Sequence, residues 1–259
     1  MIKEEKLPLL EFDENPFAFI NPEHDVNGNV LREYTAKKAV ICFFREAIEA
    51  YVKENHCEVV MTIKSETVDL PIYYDEKKQV LLVLGYLGGP GAGSEIEILN
   101  ELGMKQIFTC GGAGVLQDIA VGHLMIPTSA VRDEGTSYHY VPAGYEVTPS
   151  IDLVQQVCDA LDQRKLPYVK GKTWTTDGVF RETKAKTELR RQQGCICVEM
   201  ECAAFYAVGQ FRHCQVASIL YGGDSLTADQ WDDRQWHGRT EVRKNLLETA
   251  MEIMSEIQD

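Results

Sequence analysis

The chain has 259 residues, 44% hydrophobic and 25% charged, with a formal net charge of −14. A chain of that length suits one large folded unit and buries roughly three quarters of its unfolded surface, so no metal or disulfide is needed to hold a core. A surface this acidic repels a polyphosphate backbone and an anionic leaflet, which argues against nucleic-acid and membrane roles and leaves small molecules as ligands.

The first 29 residues read as an irregular lead, with Pro8, Pro16, Pro22, Asn27 and Gly28 interrupting any period. Between Val30 and Asn55 the apolar positions Val40, Ile41, Phe44, Ile48, Tyr51 and Val52 recur at helical spacing and predict an amphipathic helix. Three strand-type runs follow: Cys57–Ile63, Val68–Tyr74 and Gln79–Tyr86. The last is continuously apolar, as expected of a strand covered on both faces. It runs into Gly88-Gly89-Pro90-Gly91-Ala92-Gly93 and then a helix over Ser94–Leu102, with Ser94 as cap and Gly103 as stop. A strand at Gln106–Cys110 completes a βαβ pattern, and Gly111-Gly112-Ala113-Gly114 predicts a second glycine loop.

Further on, His123–Val131 reads as a strand and Ile151–Asp162 as a helix. Cys195–Phe211 reads as a short strand leading into a buried helix, and Val216–Leu220 as a buried strand. Arg239–Ile257 closes the chain as an amphipathic helix. The whole is α/β, a single domain over 1–259.

The eight cysteines form no C-x-x-C pair, so no metal site and no cofactor is expected. The amino terminus lacks the apolar run of a signal peptide, and no 18-residue apolar stretch occurs. Reduced thiols and a cytoplasmic location are the expectation.

Gly89-x-Gly91-x-Gly93 is not the dinucleotide fingerprint, and no Gly-Lys-Ser/Thr marks a Walker loop. Two readings of the glycines stay open. Their backbone N–H groups face an anion or sugar hydroxyls, or they simply make tight turns.

Several segments together resemble the nucleoside phosphorylase and uridine phosphorylase family. They are Gly88-Gly89-Pro90 with Glu97 and Leu102-Gly103; Ile119-x-Val121-Gly122-His123-Leu124-Met125-Ile126-Pro127; and Ser129 through Tyr140. After them stand Gly171 through Asp177, Val198-Glu199-Met200-Glu201-Cys202-Ala203-Ala204, and Ser218 through Asp224. They occur in family order over residues 80 to 225. The resemblance implies a three-layer α/β/α sandwich around a twisted, partly closed mixed sheet. It implies homo-oligomers, as dimers or rings of dimers. The implied reaction moves a ribosyl group from a nucleoside to phosphate, or to water in some relatives.

Breaking an N-glycosidic bond builds positive charge on the sugar and negative charge on the departing base. By resemblance, Glu201 accepts hydrogen bonds from the ribose 2′- and 3′-hydroxyls and Met200 packs on the sugar. Glu199 is a further ribose candidate, although two residues apart on a helix start would put the glutamates about 200° apart around its axis. Asp224 matches the aspartate that protonates a purine N7, a role that requires a raised pKa and favours purines over uridine. Trp174, Phe180, Arg181 and Glu182 fall where the family contacts the base. His139 falls where a neighbouring subunit approaches the sugar 5′ end.

The match fails at the phosphate. Where the family carries a G-D-P-x-R loop, the alignment offers Ile20-Asn21-Pro22-Glu23-His24, and Thr109-Cys110-Gly111-Gly112 replaces an Arg-x-Gly-Thr/Ser pattern. The third arginine position falls near Lys64. Losing guanidinium contacts to a dianion leaves three expectations. Phosphate is held by His24, Lys64 and the N–H groups of 111–114, or water is the acceptor, or the chain is a catalytically silent nucleoside-binding protein. For water, Glu23 or Asp25 is the candidate base, by resemblance to adenosylhomocysteine and methylthioadenosine nucleosidases.

Overall fold

The computed structural model describes residues 5–24, 26, 37–228 and 230–258. Ten strands form one mixed sheet: β1 (Lys38–Cys42), β2 (Glu58–Ile63), β3 (Leu70–Asp75), β4 (Val80–Leu84), β5 (Gln106–Val115), β6 (Leu124–Asp133), β7 (Glu146–Val147), β8 (Tyr168–Thr176), β9 (Cys195–Glu199) and β10 (Gln215–Ser225). The helices are α1 (Arg45–Asn55), α2 (Gly89–Glu101), α3 (Ile151–Gln163), α4 (Lys184–Gln192), α5 (Cys202–Arg212) and α6 (Thr240–Glu256).

Five strands close on themselves. β5 pairs with β10, β10 with β6, β6 with β8, β8 with β9, and β9 returns to the end of β5. Four more strands extend from β5 as an open wing in the order β1, β4, β3, β2, and the short β7 pairs with β6. This is the partly closed mixed sheet that the family resemblance implies.

Alternation along the strands supplies two cores. Ala39, Ile41, Leu81 and Val83 point to one face and pack with α2 and α5, through Ile96, Leu99, Phe205 and Val208. Val40, Cys42, Val80 and Leu82 point to the other and pack with α1, α3 and α6, through Ile48, Leu161, Leu247 and Met254. Helices cover both faces, so the apolar run of β4 is buried on both sides.

Several element boundaries differ from the sequence reading. The helix expected over Val30–Asn55 begins only at Arg45, and Val40 and Ile41 lie on β1. Residues 30–36 of that span lie outside the described residues. The helix expected from Ser94 begins at Gly89, with Gly88 (φ +86°) as its cap residue, so the glycines form its first turn. Gly103 does end it, at φ +92°. The second glycine loop is strand, the continuation of β5. All eight cysteines are free; seven are buried and Cys57 is half-buried. No described helix is long and apolar enough to cross a membrane.

Candidate active site

The carboxyl ends of β1, β4, β5, β9 and β10 surround a cavity of about 810 Å³. Ligands of open α/β sheets bind at such strand ends. Its wall includes Gly111 and Gly112 of β5, Glu199, Met200 and Glu201 at the turn from β9 to α5, and Gly223 and Asp224 of β10. Phe180 and Glu182, from a short 3₁₀ turn after β8, line it as well. The two carboxylates expected to serve sugar and base therefore share one cavity.

Glu199 and Glu201 differ sharply in what is left for a ligand. Glu199, on the last position of β9, accepts from Glu201 N (2.7 Å), Cys202 N (2.6 Å), Thr175 Oγ1 (2.6 Å) and Thr173 Oγ1 (3.1 Å). A carboxylate offers about four lone-pair sites, and all are used. Burial pushes the Glu199 carboxyl up, against the pull of those donors. Glu199 lines the cavity, and its acceptor sites are taken by Thr173, Thr175 and the orphan N–H groups that open α5. Its place on a strand end, not on the helix, explains the division of tasks.

Glu201 keeps free capacity. One oxygen accepts from Gly88 N (2.7 Å) and the other from Met200 N (3.2 Å), which leaves about two acceptor sites. It is buried, and burial followed by the charge of Glu199 pushes its carboxyl up to about 8. Incoming hydroxyl donors would stabilise the ionised form.

At the other end of the cavity, Asp224 Oδ2 accepts from Trp231 Nε1 at 2.6 Å. Burial, and after it the charge of Asp224, pushes the neighbouring Glu182 carboxyl up to about 7. The glycine at 114 makes room here: a Cβ would lie 3.3 Å from Asp224 Oδ1 and 2.7 Å from Leu226 Cδ1. Asp224 lies on β10 itself, which runs five residues beyond the predicted strand end.

Three base- or sugar-side candidates, Trp174, Arg181 and His139, lie off the cavity wall. Trp174 is fully buried in a small separate core, its Nε1 donating to Asp133 (3.0 Å) and its ring flanked by Lys186 and Arg190. It offers no stacking face to the cavity. Arg181 is exposed and lies off the cavity wall, whereas Phe180, 96% exposed, stands at its mouth. Within one chain His139 lines a different groove, formed with residues 13–22, Glu97 and Arg212.

The acceptor side also differs. Glu23 is exposed on a 3₁₀ turn away from the cavity, and Lys64 is exposed beyond β2. Asp25 and the side chain of His24 lie outside the described residues. The wall does carry Arg45, the first residue of α1, directly after β1 and Phe43-Phe44. Sequence reasoning missed it because β1 and α1 merge into one apolar pattern. The signal was a cation closing the apolar run 39–44. His237 and Arg243 also reach the wall, but Arg243 is engaged by Glu46 (2.6 Å), Tyr221 Oη (3.3 Å) and Trp236 O (3.0 Å). Thr109, at the position of the missing arginine, donates to Ser218 Oγ at 2.7 Å. The Phe43 ring fills the space over Gly85 and Gly111, where added Cβ atoms would come within 2.7 and 3.3 Å of it.

A strand-end cavity lined by buried carboxyl groups, in a five-strand closed sheet with a winged extension, is the setting of an enzyme site for a small molecule. The chain belongs to the phosphorylase superfamily, whose family model matches residues 37–257. It is similar to the guanosine phosphorylase of Halorubrum lacusprofundi, 26% identical over 64% of this chain and 70% of that one. Its fold is similar to that of uridine phosphorylase from Vibrio fischeri, with a TM-score of 0.70 at 22% identity over 86% of this chain and 93% of the other. AMP nucleosidase from Bacteroides thetaiotaomicron gives 0.68 at 21% identity, over 85% and 89%. The protein is thus an enzyme of the nucleoside phosphorylase and nucleosidase type, and cleavage of an N-glycosidic bond is its chemistry.

Proposed function

We propose that the protein cleaves a purine-type nucleoside by phosphorolysis, with Glu201 holding the ribose and Asp224 serving the base. The observation that carries this reading is the single cavity lined by both carboxylates, of which Glu201 alone of the β9–α5 pair has acceptor sites to spare. In the reaction the C1′–N bond breaks and its electron pair goes to the base. The Asp224–Glu182 end supplies a proton to the purine, and a phosphate oxygen bonds to C1′. Hydrogen bonds from the ribose hydroxyls to Glu201 strengthen as positive charge grows on the sugar. Pyrimidines carry no N7 to receive a proton, so an acid at this end favours purines.

Arg45 supports phosphate as the acceptor. It sits at the amino-terminal end of an 11-residue helix, where the helix dipole and a guanidinium both favour an anion. A second reading, water as acceptor, is favoured by Phe43 over Gly111 and by Thr109 at the arginine position. Desolvating a dianion beside an apolar ring costs several kcal/mol without paired cations, on the order of what one guanidinium returns. The protein acts as a homo-oligomer in this proposal, in which His139 approaches a nucleoside from a neighbouring copy.

Incubating the protein with adenosine, inosine, guanosine and uridine, with and without phosphate, tests both readings. Phosphorolysis gives a sugar 1-phosphate that requires phosphate; hydrolysis gives free ribose in both arms. Release of uracil alone would overturn the purine assignment.

A further inference from the structure

Beneath the glycine turn lies a carboxyl group that this chemistry does not use. Glu95, in the second turn of α2, is wholly buried, and no cation faces it among the described residues. One of its oxygens reaches back nine residues to accept from Tyr86 N at 3.1 Å. The other has no hydrogen-bond partner among the described residues. Burial pushes this carboxyl well up, against the pull of the Tyr86 N–H and with the charge of Glu201 adding to it, which favours the neutral acid.

Tyr86 opens the turn that ends at Gly88, and Gly88 N is the donor to Glu201 Oε1 at 2.7 Å. The same turn is clamped from a second side. An added Cβ at Gly91 would lie 2.4 Å from Tyr86 Cβ, so α2 meets Tyr86 in direct contact. A peptide at φ +86° with no fixed neighbour has no reason to keep its N–H aimed at one oxygen.

We infer that Glu95 is a positioning residue for the sugar site: it pins the Tyr86–Gly88 turn so that Gly88 N–H fixes the Glu201 carboxylate in its ribose-binding orientation. A neutral acid is suited to this place. A buried anion there would repel Glu201 at the moment Glu201 must be ionised, whereas the acid's carbonyl oxygen accepts from Tyr86 without adding charge. The inference rests on the reading of Glu201 as the ribose ligand.

The test uses whichever of adenosine, inosine and uridine is turned over fastest, together with its free base. Glu95→Leu removes the acceptor for Tyr86 N, and nucleoside KM is expected to rise about tenfold, the value of one hydrogen bond of ordinary strength. The inhibition constant of the free base, which has no ribose, is expected to stay within about twofold. Glu95→Gln keeps a carbonyl oxygen and restores the native KM. Gly91→Ala pushes the turn from the opposite side and is expected to give the same nucleoside-selective loss. The melting temperature of Gly91→Ala is measured alongside, so that its KM is read on folded protein.

An unchanged nucleoside KM in both Glu95→Leu and Gly91→Ala overturns the inference, as does an equal loss of nucleoside and base. Glu201→Ala separates the two layers. If it leaves nucleoside KM unchanged, the ribose assignment itself is wrong. If it weakens nucleoside binding while both turn variants bind normally, only the positioning role is lost.

Discussion

Two carboxyl groups in the cavity hold protons near neutrality for the same first reason, loss of water, and for different second ones. Glu182, at about 7, faces Asp224; Glu201, at about 8, faces Glu199. Both bind a proton more tightly folded than unfolded, where an ordinary glutamate titrates near 4.5. Their contribution to stability is fully present below about 4.5 and is lost as pH rises through 7 and 8. The melting temperature of the ligand-free protein should therefore fall between pH 6 and pH 9, and Glu182→Gln should remove the part of that fall centred near 7. A melting profile for Glu182→Gln identical to the native one would deny the group its buried proton. In turnover, Asp224→Asn should slow kcat on a purine nucleoside by about 10²–10⁴, the usual worth of a general acid. Steady-state kinetics at fixed pH checks it, and unchanged turnover removes Asp224 from the chemistry.

The strand end of β9 and the first turn of α5 form a single device. Glu199 gathers two hydroxyls and two backbone N–H groups, so replacing it with alanine strands several buried donors at once. Urea unfolding of Glu199→Ala should show a loss of about 2–4 kcal/mol, more than an ordinary helix cap contributes. A loss below about 1 kcal/mol would mean that these donors find other partners. The motif around Glu199–Ala204 was legible in the sequence, but its division of labour was not. Residue spacing places side chains on a presumed helix, and only the strand-to-helix corner shows that one glutamate is saturated. Arg45 was hidden for a similar reason. Val40, Ile41, Phe44 and Ile48 satisfy helical spacing even though the first two alternate across a buried strand. The glycines at 111–114 read as a loop because a glycine-rich strand is uncommon. Here Phe43, Tyr221 and Leu226 press against Gly111, Gly112 and Gly114, so larger residues would crowd them. The long, strongly apolar elements β4, α5 and α6 were readable because burial on a face or all round leaves a pattern that no loop imitates.

For the molecule as a whole, the amino-terminal stretch presents Phe17, Phe19 and Ile20 to solvent at 77%, 105% and 82% exposure, beside the groove that contains His139. If a second copy covers them, light scattering on the native protein gives a dimer or a larger assembly, and Phe19→Asp shifts it toward monomer. A native protein that is monomeric at micromolar concentration would leave His139 without a route to the nucleoside. The closed ring of β5, β10, β6, β8 and β9 has a further consequence for anyone wishing to redesign this enzyme. Asp224 lies on β10 and Glu201 stands two residues past the end of β9, both strands of that ring, so the span proposed from sugar grip to base acid is anchored by ladder hydrogen bonds. Phe180, Glu182 and Trp231 hang instead on connecting segments outside any ladder. Randomising residues 179–182 and 226–236 should therefore retune which base is accepted while the ring holds the sugar in place, much as exchangeable jaws fit on one fixed vice.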